Sequence, residues 1–162
     1  MGFTFYRWKY NFNKTGKYML EIIFNDNITN CNSLFDKCSN IISLDFTNFD
    51  TSNVTDMSGM FNKCHKLKEI KGINKFITNK VTNMKTMFAI CKELEYLDLT
   101  NFDTSKVTNM SWMFFNCNKL KYLNLLNFTN NCETKNMFYG IQRNECEFKT
   151  NNKRLKQLFY SS

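Results

Sequence analysis

One phrase returns along this chain at nearly constant spacing. It reads VTDMSGMFNKC at 54–64, VTNMKTMFAIC at 81–91 and VTNMSWMFFNC at 107–117, after a degraded copy, ITNCNSLFDKC, at 28–38. Each copy leads into an apolar triad and then a Phe, most clearly in LEYLDLTNFDTSK at 94–106. A fixed period of 26–27 residues predicts a solenoid in which each repeat is one turn. A unit that short cannot bury its own apolar face and must stack on its neighbours. Burying one Phe or Met contributes about 1.5–3 kcal/mol. Ordering the backbone costs roughly 1–2 kcal/mol per residue. The two nearly cancel within one repeat, so an isolated repeat is not expected to fold.

Aligned on their cysteines, the repeats form columns. Phe35, Phe61, Phe88, Phe114 and Phe138 make one, and Cys38, Cys64, Cys91 and Cys117, followed by Ile141, another. Met57, Met84 and Met110 follow Cys31, Met60, Met87, Met113 and Met137 follow Leu34, and Phe49, Phe76, Phe102 and Phe128 close each repeat. Leu94, Leu97 and Leu99 make an L-x-x-L-x-L string, the strand signature of leucine-rich repeats. Alternation puts Leu97 and Leu99 on one face and Asp98 on the other. Met113, Phe114 and Cys117 fall at helical spacing, which predicts one short helical turn per repeat. Val107–Met110 reads as a short second strand. Around Gly72, IKGINKFITNK carries an extra residue, so a bulge and a locally irregular strand are expected there.

The chain has 162 residues, no Pro and only 5 Gly. Its turns must therefore be made by Asn, Asp, Ser and Thr through side chain to backbone bonds. Net charge is +8, which invites a polyanion reading. Lysine occurs throughout the repeats, however, and a compositional bias toward Lys and Asn explains it without nucleic acid. No apolar run reaches the roughly 18 residues of a membrane span. The start, MGFTFYRWKYNF, lacks the apolar region of a signal peptide. Three segments are expected: a capping β-hairpin within 1–27, with strands around the turn at 13–16; the repeats over 28–141; and a C-terminal cap over 142–162. That cap is a strand near 145–149 and a short helix capped by Asn151 or Asn152.

Chemistry is sparse. The seven cysteines include no C-x-x-C pair and His65 is the sole histidine, so zinc spacing is missing. Column cysteines read as small buried apolar residues. Cross-repeat disulfides are geometrically possible, but reduced core thiols are favoured. Cys132 and Cys146 are the better candidates for a disulfide or an exposed thiol. Cys64 and His65 are sequence neighbours whose side chains diverge, so a nucleophile–base pair is not expected. Asp45, Asp50, Asp98 and Asp103 recur with the repeat and read as turn formers. No glycine-rich phosphate loop occurs. An enzyme, a cofactor, a metal or a small-molecule substrate is not expected.

Residues 44–64 (LDFTNFDTSNVTDMSGMFNKC) and 97–117 (LDLTNFDTSKVTNMSWMFFNC) closely resemble the BspA-like leucine-rich repeat family. The likeness covers about residues 28–140. It implies a right-handed, non-enzymatic leucine-rich-repeat solenoid. Members are often bacterial surface proteins linked to adhesion or to binding host matrix proteins, and no invariant binding residues come with the family. Neither an export signal nor a wall anchor of that kind is expected from these residues.

If the strands line one sheet, their outward side chains form a regular face. Its columns are Ser43, Glu69, Tyr96 and Tyr122; Asp45, Lys71, Asp98 and Asn124; and Thr47, Thr100 and Leu126. Solenoids bind through such extended surfaces, and tyrosine offers contact area with a polar tip. This face is the candidate protein-binding site, with Tyr96, Tyr122 and Leu126 at its centre. The competing expectation is a structural spacer or intracellular scaffold without a dedicated ligand.

Overall fold

The computed structural model describes residues 28–129 and 132–161. The expected hairpin within 1–27 lies outside them. The described chain is a small α/β arrangement of short parallel strands and one helix. Strand β1 (Ser43–Asp45) pairs with β2 (Glu69–Lys71). Strands β3 (Tyr96–Asp98), β4 (Tyr122–Asn124) and β5 (Glu147–Lys149) form a second sheet in that order. Helix α1 (Lys153–Ser161) follows.

The repeat phrase folds by an alternation of hydrogen bonds. In 110–116 the N–H groups of Met110, Trp112, Phe114 and Asn116 donate to Glu133, Lys135, Met137 and Tyr139 of the next repeat. Those of Met113, Phe115 and Cys117 donate back three residues, to Met110, Trp112 and Phe114. The pattern recurs at 31–38, 57–64 and 84–91. This differs from the expected helical turn, in which every amide would point along the chain. The M-x-x-M and F-x-x-C spacings instead mark turns whose third residue is left-handed. Trp112 has φ 56° and Asn116 φ 55°, and Thr86, Ile90, Lys63 and Gly59 occupy the same places. A three-residue spacing fits both a helix and such turns. The cross-repeat bonds select the turns, because they need alternate amides facing the neighbour. For an L-residue the left-handed conformation costs about 1–2 kcal/mol, offset here by a paired amide.

The expected second strand shrinks to single parallel bridges linking Asn30, Asp56, Asn83, Asn109 and Glu133 in succession. Each of the four Asx residues turns the chain as its Oδ1 accepts the N–H two residues on, at Asn32, Ser58, Lys85 and Ser111. The other corners use the same device, at Asp45 to Thr47, Asp50 to Ser52 and Asp103 to Ser105. The side-chain and N–H hydrogen bonds of Thr47 and Ser105, and the N–H and side-chain bonds of Ser52, hold the carboxyls of Asp45, Asp103 and Asp50 below their ordinary range.

Side chains follow the backbone register. Phe61, Phe88 and Phe114 are fully buried. Their rings stack at 5.4 and 5.8 Å, with Phe35 and Phe138 extending the row at 6.1 and 6.0 Å. A second row runs through Phe76, Phe102 and Phe128 at 6.3 and 6.5 Å. The methionine columns are buried beside them. Helix α1 places Phe159 on Phe148 (4.1 Å) and edge-on to Phe138 (5.3 Å). Its N-terminus is capped by Asn152, whose Oδ1 accepts the Leu155 N–H.

The irregularity at Gly72 interrupts the sheet: β2 and β3 do not pair. Gly72 is left-handed (φ 74°) and leads into a single 3-10 turn, Ile73–Lys75, in place of a bulge. A Cβ there would lie 2.7 Å from backbone atoms of Phe46 and Thr47. Gly72 stands in the column of Phe46, Leu99 and Leu125, and the Phe46 ring packs edge-on to Phe61 and Phe76 beside it.

Opposite signs are expected from two backbone substitutions. Gly72→Ala must carry a Cβ into neighbouring backbone and should lose about 2–3 kcal/mol. Thr86→Gly relieves a β-branched residue at φ 54° and should gain about 1 kcal/mol. Urea unfolding of the three proteins measures both; a stabilised Gly72→Ala would refute the close approach.

Candidate functional site

Strand register decides which side chains of the predicted face are neighbours. On the first sheet Ser43 lies beside Glu69 and Asp45 beside Lys71. On the second, Tyr96 lies beside Tyr122 and Asp98 beside Asn124. The columns read from the sequence are thus brought together within each sheet, and the break at Gly72 separates the two halves. Two members were missed: Glu147 and Lys149 of β5 continue the columns beside Tyr122 and Asn124. A strand at 145–149 was legible, but ECEFK, without a leucine triad, hid its register.

The tyrosines dominate this face. Their rings stack at 4.4 Å with 4° between planes. Tyr96 is 60% exposed. Tyr122 is more enclosed: Lys149 Nζ lies 5.0 Å from its ring centroid, and its hydroxyl accepts from Asn124 Nδ2 at 3.1 Å. Partial desolvation, then Tyr122 and Asp98, raise the Tyr96 phenol above its ordinary value. Asn124, expected as an outward contact, is itself buried. It holds Tyr122, approaches Asp98 Oδ2 at 3.4 Å and accepts the Leu126 N–H at 3.3 Å. Asp98 in turn accepts from the N–H and hydroxyl of Thr100. Ser43, Asp45, Thr47, Glu69 and Lys71 are exposed, and Thr100 and Leu126 half-buried. Alongside the tyrosines, Glu93–Lys119 and Glu95–Lys121 pair across repeats at 2.8 Å, and Glu147–Lys149 at 3.0 Å. The arrangement offers an aromatic plateau in a frame of ion pairs.

The cysteine column has a different task. Cys64, Cys91 and Cys117 each donate their S–H to the carbonyl of the Phe one repeat earlier, at Phe35, Phe61 and Phe88 (3.2, 3.2 and 3.1 Å). All seven cysteines are free thiols. A methyl group of similar size would fill the space but leave that bond unmade, a reason for cysteine that hydrophobic patterning alone did not reveal. Burial pushes the Cys64 and Cys117 thiols up to about 12 and raises Cys91 well above its ordinary value. Cys132 and Cys146 are also raised by burial. Among the described residues no three His, Cys, Asp or Glu side chains converge as a metal site would require, and no helix is long and apolar enough to cross a membrane.

A thiol pKa raised on folding makes the native state hold its proton more tightly than the unfolded chain. The stabilisation is complete below the ordinary value of 9.0 and is lost as pH rises toward about 12. Stability measured by urea should therefore fall across pH 9 to 12 more steeply for the native sequence than for Cys64→Ala/Cys117→Ala. Equal slopes would contradict the burial of these thiols as protonated donors.

A search of curated proteins finds no match, and a search of solved structures finds none. A family model does match, over residues 29–151, which is most of the chain and nearly all of the stacked repeats described above. The chain therefore belongs to the family described as "Mycoplasma protein of unknown function, DUF285".

Proposed function

We propose that this protein is a non-enzymatic protein–protein interaction module, built as a right-handed leucine-rich-repeat solenoid of the BspA-like type. Residues 28–141 form its repeats, and 1–27 and 142–162 its caps. The partner is gripped on the strand face, and the resemblance to BspA-like proteins points to adhesion to host or matrix proteins at a cell surface. The observation that carries this reading is the stacked Tyr96–Tyr122 pair. A ring left 60% exposed at the centre of a regular face adds little to folding. Aromatic side chains held rigid by neighbours are efficient anchors for a partner, because little rotamer freedom remains to be lost. Here Asn124 and Lys149 hold Tyr122, and Tyr122 holds Tyr96.

The second reading is a structural spacer or intracellular scaffold without a dedicated ligand. It is supported by how much of the repeat is spent on stacking: the Phe, Met, Cys and Thr columns all serve neighbouring repeats.

Tyr96→Ser removes an exposed ring and one aromatic stack, worth about 0.5–1.5 kcal/mol, and should leave the fold intact. Tyr96→Ser/Tyr122→Ser should weaken binding to immobilised matrix proteins by about tenfold or more, as loss of a central anchor does. Surface plasmon resonance against a panel of matrix proteins, with melting curves of each variant, separates the readings. Unchanged binding with both tyrosines gone would favour the spacer.

A further inference from the structure

Positive charge is not spread evenly over the stacked repeats. Residues 61–80 carry six lysines against one acid, Glu69, whereas 28–60 carry four aspartates against Lys37 alone. Lys66, Lys68, Lys71 and Lys75 of this basic repeat are all exposed. Among the described residues none of them has a carboxylate partner in an ion pair, unlike Lys119, Lys121 and Lys149 further along. The acids that feel them are already engaged. Asp45, influenced by Lys71 and Lys75, accepts the Thr47 N–H. Glu95, influenced by Lys68, is bound by Lys121 at 2.8 Å. The unpaired lysines surround β2, at the sheet break. On the far side of that break begins the tyrosine plateau, where Tyr122 covers one face of the Tyr96 ring.

We infer that the partner of this face is an acidic protein segment, whose carboxylates pair with Lys68 and Lys71 while an apolar or aromatic side chain packs on Tyr96. This rests on the strand face being an interaction surface and adds the chemistry of what it binds. Unpaired lysines beside an exposed ring supply a charged rim around an anchor, the division of labour found at protein interfaces. A nucleic acid or a sulfated polysaccharide fits less well. Glu69, Glu95 and Asp98 lie among the same columns and would meet a continuous line of phosphates or sulfates with like charge. Discrete carboxylates on a peptide can be spaced to avoid them.

The test is fluorescence anisotropy with the full chain at about 150 mM salt, where diffuse surface attraction is largely screened. The probes are a fluorescein-labelled peptide of repeating Glu-Phe, its Lys-Phe counterpart, heparin, and a single-stranded oligonucleotide. The Glu-Phe peptide should bind in preference to the other three. K68E/K71E and Y96S should each weaken it by about tenfold. K153E/K156E, which reverses two charges on α1, should leave it unchanged. Equal loss in the α1 variant would reduce the effect to net charge and overturn the proposal. So would tighter binding of heparin or oligonucleotide through Lys68 and Lys71, or no peptide binding at all. Binding of the Lys-Phe peptide that depends on Tyr96 but not on the lysines would overturn the acidic partner while leaving the face an interaction surface.

Discussion

The structure depends on one constraint: alternate backbone amides of each repeat must face the next. Four N–H groups per repeat phrase donate across, and the amides between them close tight turns within the repeat. A buried amide left unpaired costs about as much as a lost hydrogen bond, so the alternation cannot be relaxed at one place without penalty. Side-chain identity follows from it. Residues that donate inward-facing amides, such as Phe61, Phe88 and Phe114, are fixed one above the other and stack. Residues at the left-handed positions must tolerate positive φ, and they are drawn from many types because their side chains point away from the shared interior.

The same geometry gives polar residues a structural use inside. Thr51, Thr78 and Thr104 are buried. Thr51 Oγ1 accepts the Ile77 N–H and donates to the Ile77 carbonyl, and Thr78 does the same with Asp103. Thr104 accepts the Thr129 N–H. The thiols extend this principle one column further. Where a repeat leaves a donor or acceptor facing its neighbour, a small side chain with one polar atom closes the gap. That is why the repeat keeps these Thr and Cys positions from copy to copy within this chain, and why an all-hydrocarbon interior would be less well satisfied.

Periodicity made the columns legible, because identical side chains recurring every 26–27 residues can only be neighbours if the repeats stack. The strands, the Asx turns and the Asn152 cap were legible for local reasons: alternation, scarcity of Gly and Pro, and an Asn before an apolar helix. The left-handed turns were not. Met110, Met113, Phe114 and Cys117 have helical spacing, and nothing local distinguishes Trp112 or Ile90 as residues with positive φ. Only the cross-repeat bonds, which are non-local, do so. On the candidate face, the tyrosine pair was legible from its column. The burial of Asn124 and the contribution of Lys149 were not, since both depend on how β5 docks beside β4. Gly72 lies between these cases. Its extra residue announced an irregularity, but not its form: a left-handed residue leading into a 3-10 turn, with β2 and β3 left unpaired.

A repeat that must satisfy its neighbours has few positions left for anything else. In this chain those positions are the outward strand residues and the segment just before each strand, and they are the ones that vary. Asn40, Lys66, Glu93 and Lys119 share a column, as do Ile42, Lys68, Glu95 and Lys121. Glu93 and Glu95 each pair with the lysine of the following repeat, Lys119 and Lys121, at 2.8 Å, and not with Lys66 and Lys68 of the preceding one. The charges pair along the second sheet, whereas among the described residues the lysines around β2 have no carboxylate partner. Exposed ion pairs contribute little to stability, so their arrangement is free to vary without cost to the fold. The interior columns repeat because stacking demands it, whereas the outer columns differ from one repeat to the next. On the proposed reading, specificity resides where the repetition fails: at Tyr96 and Tyr122, at the lysines around β2, and at the break between them.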